Sequence, residues 1–159
     1  MRSNLGVRWM IRMDMAAVLE IERQDEIEPW DDKEFRRILS LRNCIGMVCE
    51  LDGNIVGFMV YLVLPQYIEV LRMSVATNRT RGKIGTAMVD KLKAKLSPLR
   101  RPLIRIRVAE TNTAAALFLR TQGFLATLEA GAFGDRDGYR FEYSVAEPSK
   151  IANFRMNAI

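Results

Sequence analysis

The residues best suited to chemistry in this 159-residue chain lie in a short polar segment, Ala76–Lys83, which contains a glycine and three basic side chains. The segment follows an apolar, β-like run that ends at Val75 and precedes a helix with apolar residues at every fourth position. In such a strand–loop–helix the loop amides and the helix N-terminus attract an anion together. The segment therefore predicts a phosphate-binding turn, and a structural turn with solvated basic residues is the alternative.

A carboxylate, Glu69, lies on the same β-like run, six residues before Val75. A carboxyl group partly buried in a cleft has a raised pKa, which suits a general base. The run Leu103–Val108 alternates apolar residues with Arg105 and Arg107, and an ion pair with either would lower that pKa instead. Both roles stay open, and the two arginines favour either an anionic ligand or a charged surface strand.

Composition excludes several kinds of site. The chain has no histidine, which removes a histidine-based triad, a histidine general base and most zinc sites. Cys44 and Cys49 are an odd number of residues apart on one predicted strand, so they face opposite sides and do not readily pair. The net charge is +5, but the basic residues form no long tract. We therefore expect no metal and no nucleic-acid partner.

Hydropathy predicts no membrane partner and a cytoplasmic location. The longest apolar run, Ile55–Leu64, has half of the about 20 residues that a membrane helix needs. The N-terminus lacks the apolar core of a signal peptide. Hydrophobic residues make up 49% of the chain and charged residues 27%, as in globular proteins.

Periodicity and turn signals predict the element order β-α-α-β-β-β-α-β-α-β-β. Asp14 is predicted to cap the first helix, and Asp31, with Glu34 three residues later, to cap the second. The triplet 52–54 (Asp-Gly-Asn) predicts a hairpin turn, and Gly123 predicts a helix end.

In the second half, a helix is predicted from Ile84 through Leu96, on which apolar residues recur every four positions. The last two strands are predicted at Phe124–Leu128 and Tyr139–Val145, joined by a glycine-rich, charged loop.

Motifs along nearly the whole chain resemble those of the GNAT superfamily of acyl-CoA N-acyltransferases, above all its RimI-type branch. The matching segments are Val7–Asp14, 28–30 (Glu-Pro-Trp), the hairpin turn, Glu69–Val75, and Thr111-Asn112 through Gly123-Phe124. The resemblance implies an α/β (α+β) fold, with a mixed, mostly antiparallel sheet of about seven strands flanked by four helices. It also implies one N-acetyltransferase domain over residues 1–146 and a C-terminal tail over 147–159.

The resemblance implies acetyl-CoA as co-substrate and a set of residues that bind it. The central strand would offer main-chain groups to the pantetheine arm, the loop would hold the pyrophosphate in one of two registers, and an asparagine would lie near the thiol. In this sequence the strand positions are Met73 and Val75. The asparagine is Asn112, which is also interpreted as an N-cap. The loop positions are Thr80, Arg81, Gly82, Lys83, Ile84, Gly85 and Thr86.

At the catalytic positions the chain departs from the RimI-type pattern. The acid of that branch is a tyrosine seven residues after the asparagine, where this chain has Leu119, and its glutamate on the preceding strand falls on Arg107. Glu69 matches the base of histone-acetylating members. The resemblance implies direct attack of a primary amine (a protein N-terminus, a lysine or a small molecule) on acetyl-CoA, in a monomer or homodimer. The alternative is a non-catalytic acyl-CoA-binding module.

Overall fold

The computed structural model describes residues 4–25, 28–77 and 83–145. Within these ranges it contains seven strands, four helices and a short 3-10 turn at Arg12–Asp14. The strands are β1 (Leu5–Trp9), β2 (Cys44–Leu51), β3 (Asn54–Val63), β4 (Tyr67–Val75), β5 (Leu103–Ala109), β6 (Leu125–Phe133) and β7 (Arg136–Ser144). The helices are α1 (Met15–Asp25), α2 (Asp32–Leu39), α3 (Lys83–Lys93) and α4 (Thr113–Thr121).

The strands form one seven-stranded sheet in the order β1-β2-β3-β4-β5-β7-β6. Strands β1 to β3 pair antiparallel, and so do β5 with β7 and β7 with β6. The predicted element order and the mixed, mostly antiparallel α+β architecture are confirmed. None of the helices in the described ranges is long and apolar enough to cross a bilayer.

The chain divides into two compact units. One comprises Met1–Val63 and Val70–Ala94, and the other comprises Leu64–Glu69 and Lys95–Ile159. The predicted single domain over residues 1–146, with a tail at 147–159, stays a prediction.

The first unit is built on an apolar core between α1, α2 and the strands β2 and β3. The fully or nearly buried members of this core are Val18, Ile21, Phe35, Ile38, Val48, Phe58 and Val60. Phe35 makes edge-to-face contacts with Trp30 and Phe58. Such aromatic pairs contribute beyond their buried area, which accounts for the docking of the short helix α2.

Turns and caps of the first unit follow the sequence signals, with one exception. Asp31 caps α2 by accepting a hydrogen bond from the Glu34 amide (2.8 Å), and Asp52 and Gly53 form a two-residue turn with positive φ at both residues. The prediction that Asp14 caps α1 is wrong. Its carboxylate lies in the 3-10 turn, where it accepts from the Ile11 amide (2.8 Å) and from the Arg8 guanidinium (2.7 and 2.9 Å), and the bonds from Arg8 above all keep the pKa of Asp14 below its usual range.

Helix α3 lies close to β3 because Gly57 has no side chain. A Cβ at this position would be 3.1 Å from Ile84 Cγ2 and 3.2 Å from Met88 Cε. The predicted apolar stripe of α3 is buried, but the helix ends at Lys93, so the prediction that it extends to Leu96 is wrong.

In the second unit, α4 has both of its predicted ends. Asn112 Oδ1 accepts from the Ala115 amide (3.2 Å) at the N-terminus. At the C-terminus Gly123 has φ +90°, its amide donates to Arg120 O (3.0 Å), and the Phe124 amide donates to Leu119 O (3.0 Å). This is a Schellman motif, which favours glycine at the left-handed position.

The predicted loop between the last two strands is wrong. Strand β6 continues to Phe133 and β7 starts at Arg136, with a register shift between Glu129 and Phe133. The bulge accommodates Gly131, which has φ +68°. A glycine-rich segment that reads as a loop is therefore mostly a long, irregular hairpin, and this places Glu129 on a strand.

Candidate active site

The strand and the helix that flank the predicted loop are present at the predicted places. Strand β4 ends at Val75 and α3 begins at Lys83, and both Met73 and Val75 are half-buried on β4. Thr80, Arg81 and Gly82 lie outside the described residues, so the register of the loop stays a prediction.

At the start of α3, the side chains of the first turn point to different surroundings. Lys83 is exposed, whereas Ile84 is buried against β3 at Gly57. The bulk of Ile84 is therefore directed at the sheet. The first amides of a helix in general have no intrahelical acceptor, and α3 as described begins with Lys83, Ile84, Gly85 and Thr86.

Glu69 is a buried carboxylate on β4 that is held on one side only. Its residue exposure is 8%, and Oε1 accepts a hydrogen bond from Arg107 Nη1 (2.5 Å). Oε2 is buried and has no hydrogen-bond partner among the residues that the structure describes. The ion pair of the sequence analysis is therefore present, with Arg107 as the partner, while the role of Glu69 as a general base stays a prediction.

Arg107 is shared between two carboxylates. Its Nη1 donates to Glu69, and its Nε donates to Glu129 Oε1 on β6 (3.2 Å). The guanidinium is 38% exposed and the Glu129 side chain 31% exposed. One positive charge therefore lies between a buried and a more exposed negative charge, and the group of three has a net charge of about −1 at neutral pH.

Burial raises the pKa of Glu69 above the ordinary value for a glutamate. The positive charges of Arg107 and Arg105 lower it by less, and the negative charges of Glu129 and Glu142 add to the rise. The ion pair with Arg107 therefore does not bring the pKa down to or below its usual value. A raised carboxyl pKa is suited to accepting a proton from an amine.

Arg105 has a different partner from Arg107. It donates to Glu142 Oε2 from both Nε (3.2 Å) and Nη2 (3.1 Å), and its guanidinium lies 4.5 Å from the centre of the Tyr67 ring. Strand register explains the pairing, since Arg105 lies opposite Glu142 and Arg107 opposite Arg140. The predicted basic face is thus balanced by carboxylates, which removes the argument for an anionic ligand there.

Two functional-site neighbours, Glu129 and Glu142, were missed by sequence reasoning. Glu142 lies on a predicted strand, and its period-2 alternation with Arg140 was the available signal. Glu129 fell in the segment interpreted as a loop, so its place beside Arg107 was not visible.

The remaining candidate residues have structural roles. Asn112 is the N-cap of α4, which leaves its predicted place near the thiol untested. Leu119, at the position of the family acid, is 1% exposed and belongs to the core. Cys44 and Cys49 are free thiols whose pKa values are raised by burial, so neither is an activated nucleophile.

Metal binding finds no support in the side-chain arrangement. Within residues 4–25, 28–77 and 83–145, no three His, Cys, Asp or Glu side chains are grouped so that they could hold an ion.

A family model matches most of the chain. The model of the acetyltransferase (GNAT) family aligns with residues 15–124, which include β4, α3, β5 and α4. A search of curated proteins gives no significant match.

Solved structures share the fold at low sequence identity. The ribosomal-protein-S18-alanine N-acetyltransferase of Escherichia coli superposes with a TM-score of 0.75 at 17% identity, over 91% of this chain and 96% of that one. Ard1 of Thermoplasma volcanium gives 0.78 at 20% identity, over 90% and 99%. NAA60 of Arabidopsis thaliana, solved in complex with acetyl-CoA, gives 0.76 at 14% identity, over 89% and 100%.

Proposed function

This chain belongs to the GNAT family of acetyltransferases, and we propose that it transfers the acetyl group of acetyl-CoA to a primary amine with Glu69 as general base. The observation that carries the role of Glu69 is the state of its carboxylate. One oxygen is held by Arg107, while the other is buried and has no partner among the described residues. That oxygen is an acceptor in a desolvated place, as a general base requires.

The proposed reaction is a direct acyl transfer. The neutral amine nitrogen attacks the thioester carbonyl carbon, the new C–N bond forms, and the C–S bond breaks. Glu69 Oε2 accepts the proton that the amine loses, directly or through one water molecule. Since the buried Leu119 stands at the acid position, we propose that coenzyme A leaves as a thiolate and takes its proton from solvent.

Binding of acetyl-CoA is assigned to the end of β4 and the start of α3. Met73 and Val75 lie on the strand before the loop, and the start of a helix generally offers amides without an intrahelical acceptor. Lys83 adds an exposed ammonium at the same helix end, where the helix dipole also attracts an anion. We include Thr80, Arg81 and Gly82 of the loop in this proposal on the resemblance alone, and Asn112 near the thiol on the same ground.

For the acceptor we propose a primary amine on a protein or peptide, in the cytoplasm. The support for a protein acceptor is that the E. coli protein whose fold this chain shares is a ribosomal-protein-S18-alanine N-acetyltransferase. The net −1 charge of the Glu69–Arg107–Glu129 group also favours an acceptor that arrives as an ammonium ion.

Replacement of the base tests the proposal. We expect Glu69→Gln to lower kcat/KM for acetyl transfer about 100-fold or more, the usual contribution of a general base, with little change in acetyl-CoA affinity. The release of thiol from acetyl-CoA with a panel of peptide and small amines measures kcat/KM. Calorimetric titration measures the affinity for acetyl-CoA.

A surface variant is the matched control. Glu20→Gln removes a carboxylate whose ion pair with Arg23 is exposed on α1, and its rate should equal that of the wild type. Full activity of Glu69→Gln would exclude the role of Glu69. If the wild type binds acetyl-CoA but acetylates none of the panel, the non-catalytic binding module is the correct function.

Replacement at the helix start tests the cofactor site. Gly85→Asp should weaken acetyl-CoA binding at least about tenfold, because a carboxylate is placed among the phosphate donors. An acidic residue in the first turn stabilises a helix, so stability should be kept or improved. Gly85→Ala separates the added bulk from the added charge. Unchanged affinity in the aspartate variant would move the phosphate site elsewhere.

A further inference from the structure

We propose that Glu129 and Arg107 are positioning residues for Glu69: Glu129 holds the Arg107 guanidinium, and Arg107 holds one oxygen of Glu69 so that the other stays open to the acceptor amine. The inference rests on the proposed role of Glu69 as the base. It assigns a task to an arginine at a position where the RimI-type pattern has a glutamate. It also assigns one to Glu129, which lies one residue beyond the predicted end of its strand.

Arg107 connects the two carboxylates because it donates hydrogen bonds to both of them. Nη1 donates to Glu69, while Nε donates to both oxygens of Glu129, at 3.2 and 3.3 Å. A guanidinium is planar and rigid, so its bonds to Glu129 fix the direction of the bond to Glu69. Without Glu129, Arg107 is free to turn and to offer a second donor to Glu69.

Because Glu69 is the most buried member of this group, the interaction of Arg107 with Glu69 is less screened by solvent than its interaction with Glu129. Glu69 is 8% exposed, whereas Glu129 is 31% exposed and Arg107 38% exposed. A charge interaction is less screened at the buried end, so a change at Glu129 or Arg107 acts most strongly on the proton affinity of Glu69.

Other charged groups near Glu69 come from its own strand and from β5, β6 and β7. Tyr67 precedes it on β4, and Arg105 on β5 is bound to Glu142 on β7, which leaves that pair close to neutral as a whole. Arg140 on β7 lies 3.9 Å from the other oxygen of Glu142. Among these described groups, Arg107 is the one that donates directly to Glu69, and its second carboxylate partner is Glu129.

Substitutions at the two positions are expected to move the proton affinity of Glu69 in opposite directions. Arg107→Met removes the favourable positive charge, so the pKa of Glu69 rises and the acid limb of kcat/KM moves to higher pH. The expected shift is about one unit, at the low end of the effect of a nearby opposite charge. Glu129→Gln removes a like charge and releases Arg107, so the pKa of Glu69 falls. The acid limb then moves to lower pH by about half a unit, and the plateau rate drops because the base is weaker.

The experiment records the pH dependence of kcat/KM for wild type, Arg107→Met, Arg107→Lys and Glu129→Gln. In parallel, NMR titration of the labelled Glu69 carboxyl carbon reports its pKa without any turnover. Lysine keeps the charge but lacks the planar fork, so Arg107→Lys should lie between the wild type and the methionine variant. Glu20→Gln, which removes a distant surface carboxylate, is the control and should leave both readouts unchanged.

Opposite shifts in the two variants, by rate and by NMR, support the proposal. It is overturned if neither variant moves the titration of Glu69, or if both move it in the same direction. Failure of the proposed base gives a different pattern: Glu69→Gln stays active while the carboxyl titration still responds to Arg107→Met. The NMR readout decides the matter even for a variant with no measurable turnover.

Discussion

Each compact unit contains a buried glutamate paired with an arginine, and the two pairs are held differently. In the first unit Glu22 is fully buried, and its Oε2 accepts from both the Trp30 amide (2.9 Å) and Arg72 Nε (3.1 Å). The Arg72 guanidinium lies 4.4 Å from the centre of the Trp30 ring and is 19% exposed. Backbone, ion pair and cation–π contact therefore fix this group together.

In the second unit, Glu69 accepts its described hydrogen bond from Arg107 alone, and Arg107 also contacts the more exposed Glu129. No backbone amide among the described residues donates to the Glu69 carboxylate. The same two residue types are thus anchored in two ways. In each pair one buried carboxylate oxygen has no hydrogen-bond partner among the described residues, so the difference lies in the anchoring: Glu22 is fixed by a backbone amide as well as by Arg72, whereas Glu69 is held by the Arg107 side chain.

The largest expected loss of stability follows from breaking the Glu22–Arg72 pair of the first unit. Arg72→Met leaves the Glu22 charge buried and less compensated, and loss of one partner of such a pair lowers the free energy of unfolding by about 3 kcal/mol or more. Arg107→Met should lower it by less, about 1.4 kcal/mol at neutral pH, which corresponds to the expected rise of about one unit in the pKa of Glu69. Urea unfolding measures both.

Arg36→Met is the control for this comparison. Its ion pair with Asp32 on α2 is exposed, so its stability should match that of the wild type. If Arg72→Met and Arg107→Met lower the free energy of unfolding equally, the two pairs do not differ in their contribution to stability, and the comparison is wrong.

A smaller effect is expected at Asn112, where the second unit combines a cap with a predicted contact to the cofactor. Asn112→Ala removes the hydrogen bond to the Ala115 amide and should lower the free energy of unfolding by about 1 kcal/mol. Asn112→Ser keeps a capping oxygen and should restore most of that stability. Acetyl-CoA titration of both variants then isolates the contact near the thiol. If the serine variant binds as tightly as the wild type, Asn112 is a cap and nothing more.

Much of the fold was predictable because its signals are local. The caps at Asp31 and Asn112, the hairpin turn at Asp52-Gly53 and the terminating glycine Gly123 each depend on a few neighbouring residues. The errors occur where a distant group intervenes. Asp14 has the right type for a cap, but its carboxylate accepts from Arg8 on β1 and from the Ile11 amide at the start of the 3-10 turn.

Prediction of the site was less complete for the same reason. The sequence identified Glu69 and weighed Arg105 against Arg107 as its partner, but strand register decides between them. The place of Glu129 next to Arg107 depends on the pairing of β6 with β7 and of β7 with β5, in which Glu129 lies opposite Gly138 just before the bulge. Neither register nor bulge is encoded in the periodicity of a single strand.

The glycine at position 57 has a practical consequence for anyone who wishes to alter the cofactor preference of this enzyme. Ser74 O and Ile84 Cγ2 would each lie 3.1 Å from a Cβ added there, so even an alanine requires the β4 backbone or the Ile84 side chain to shift. Since Ile84 belongs to the first turn of α3, a change at position 57 can alter the packing of that turn. A mutant library aimed at the coenzyme loop should therefore keep Gly57 constant and vary the residues from Lys83 onward, so that selection acts on binding rather than on helix placement.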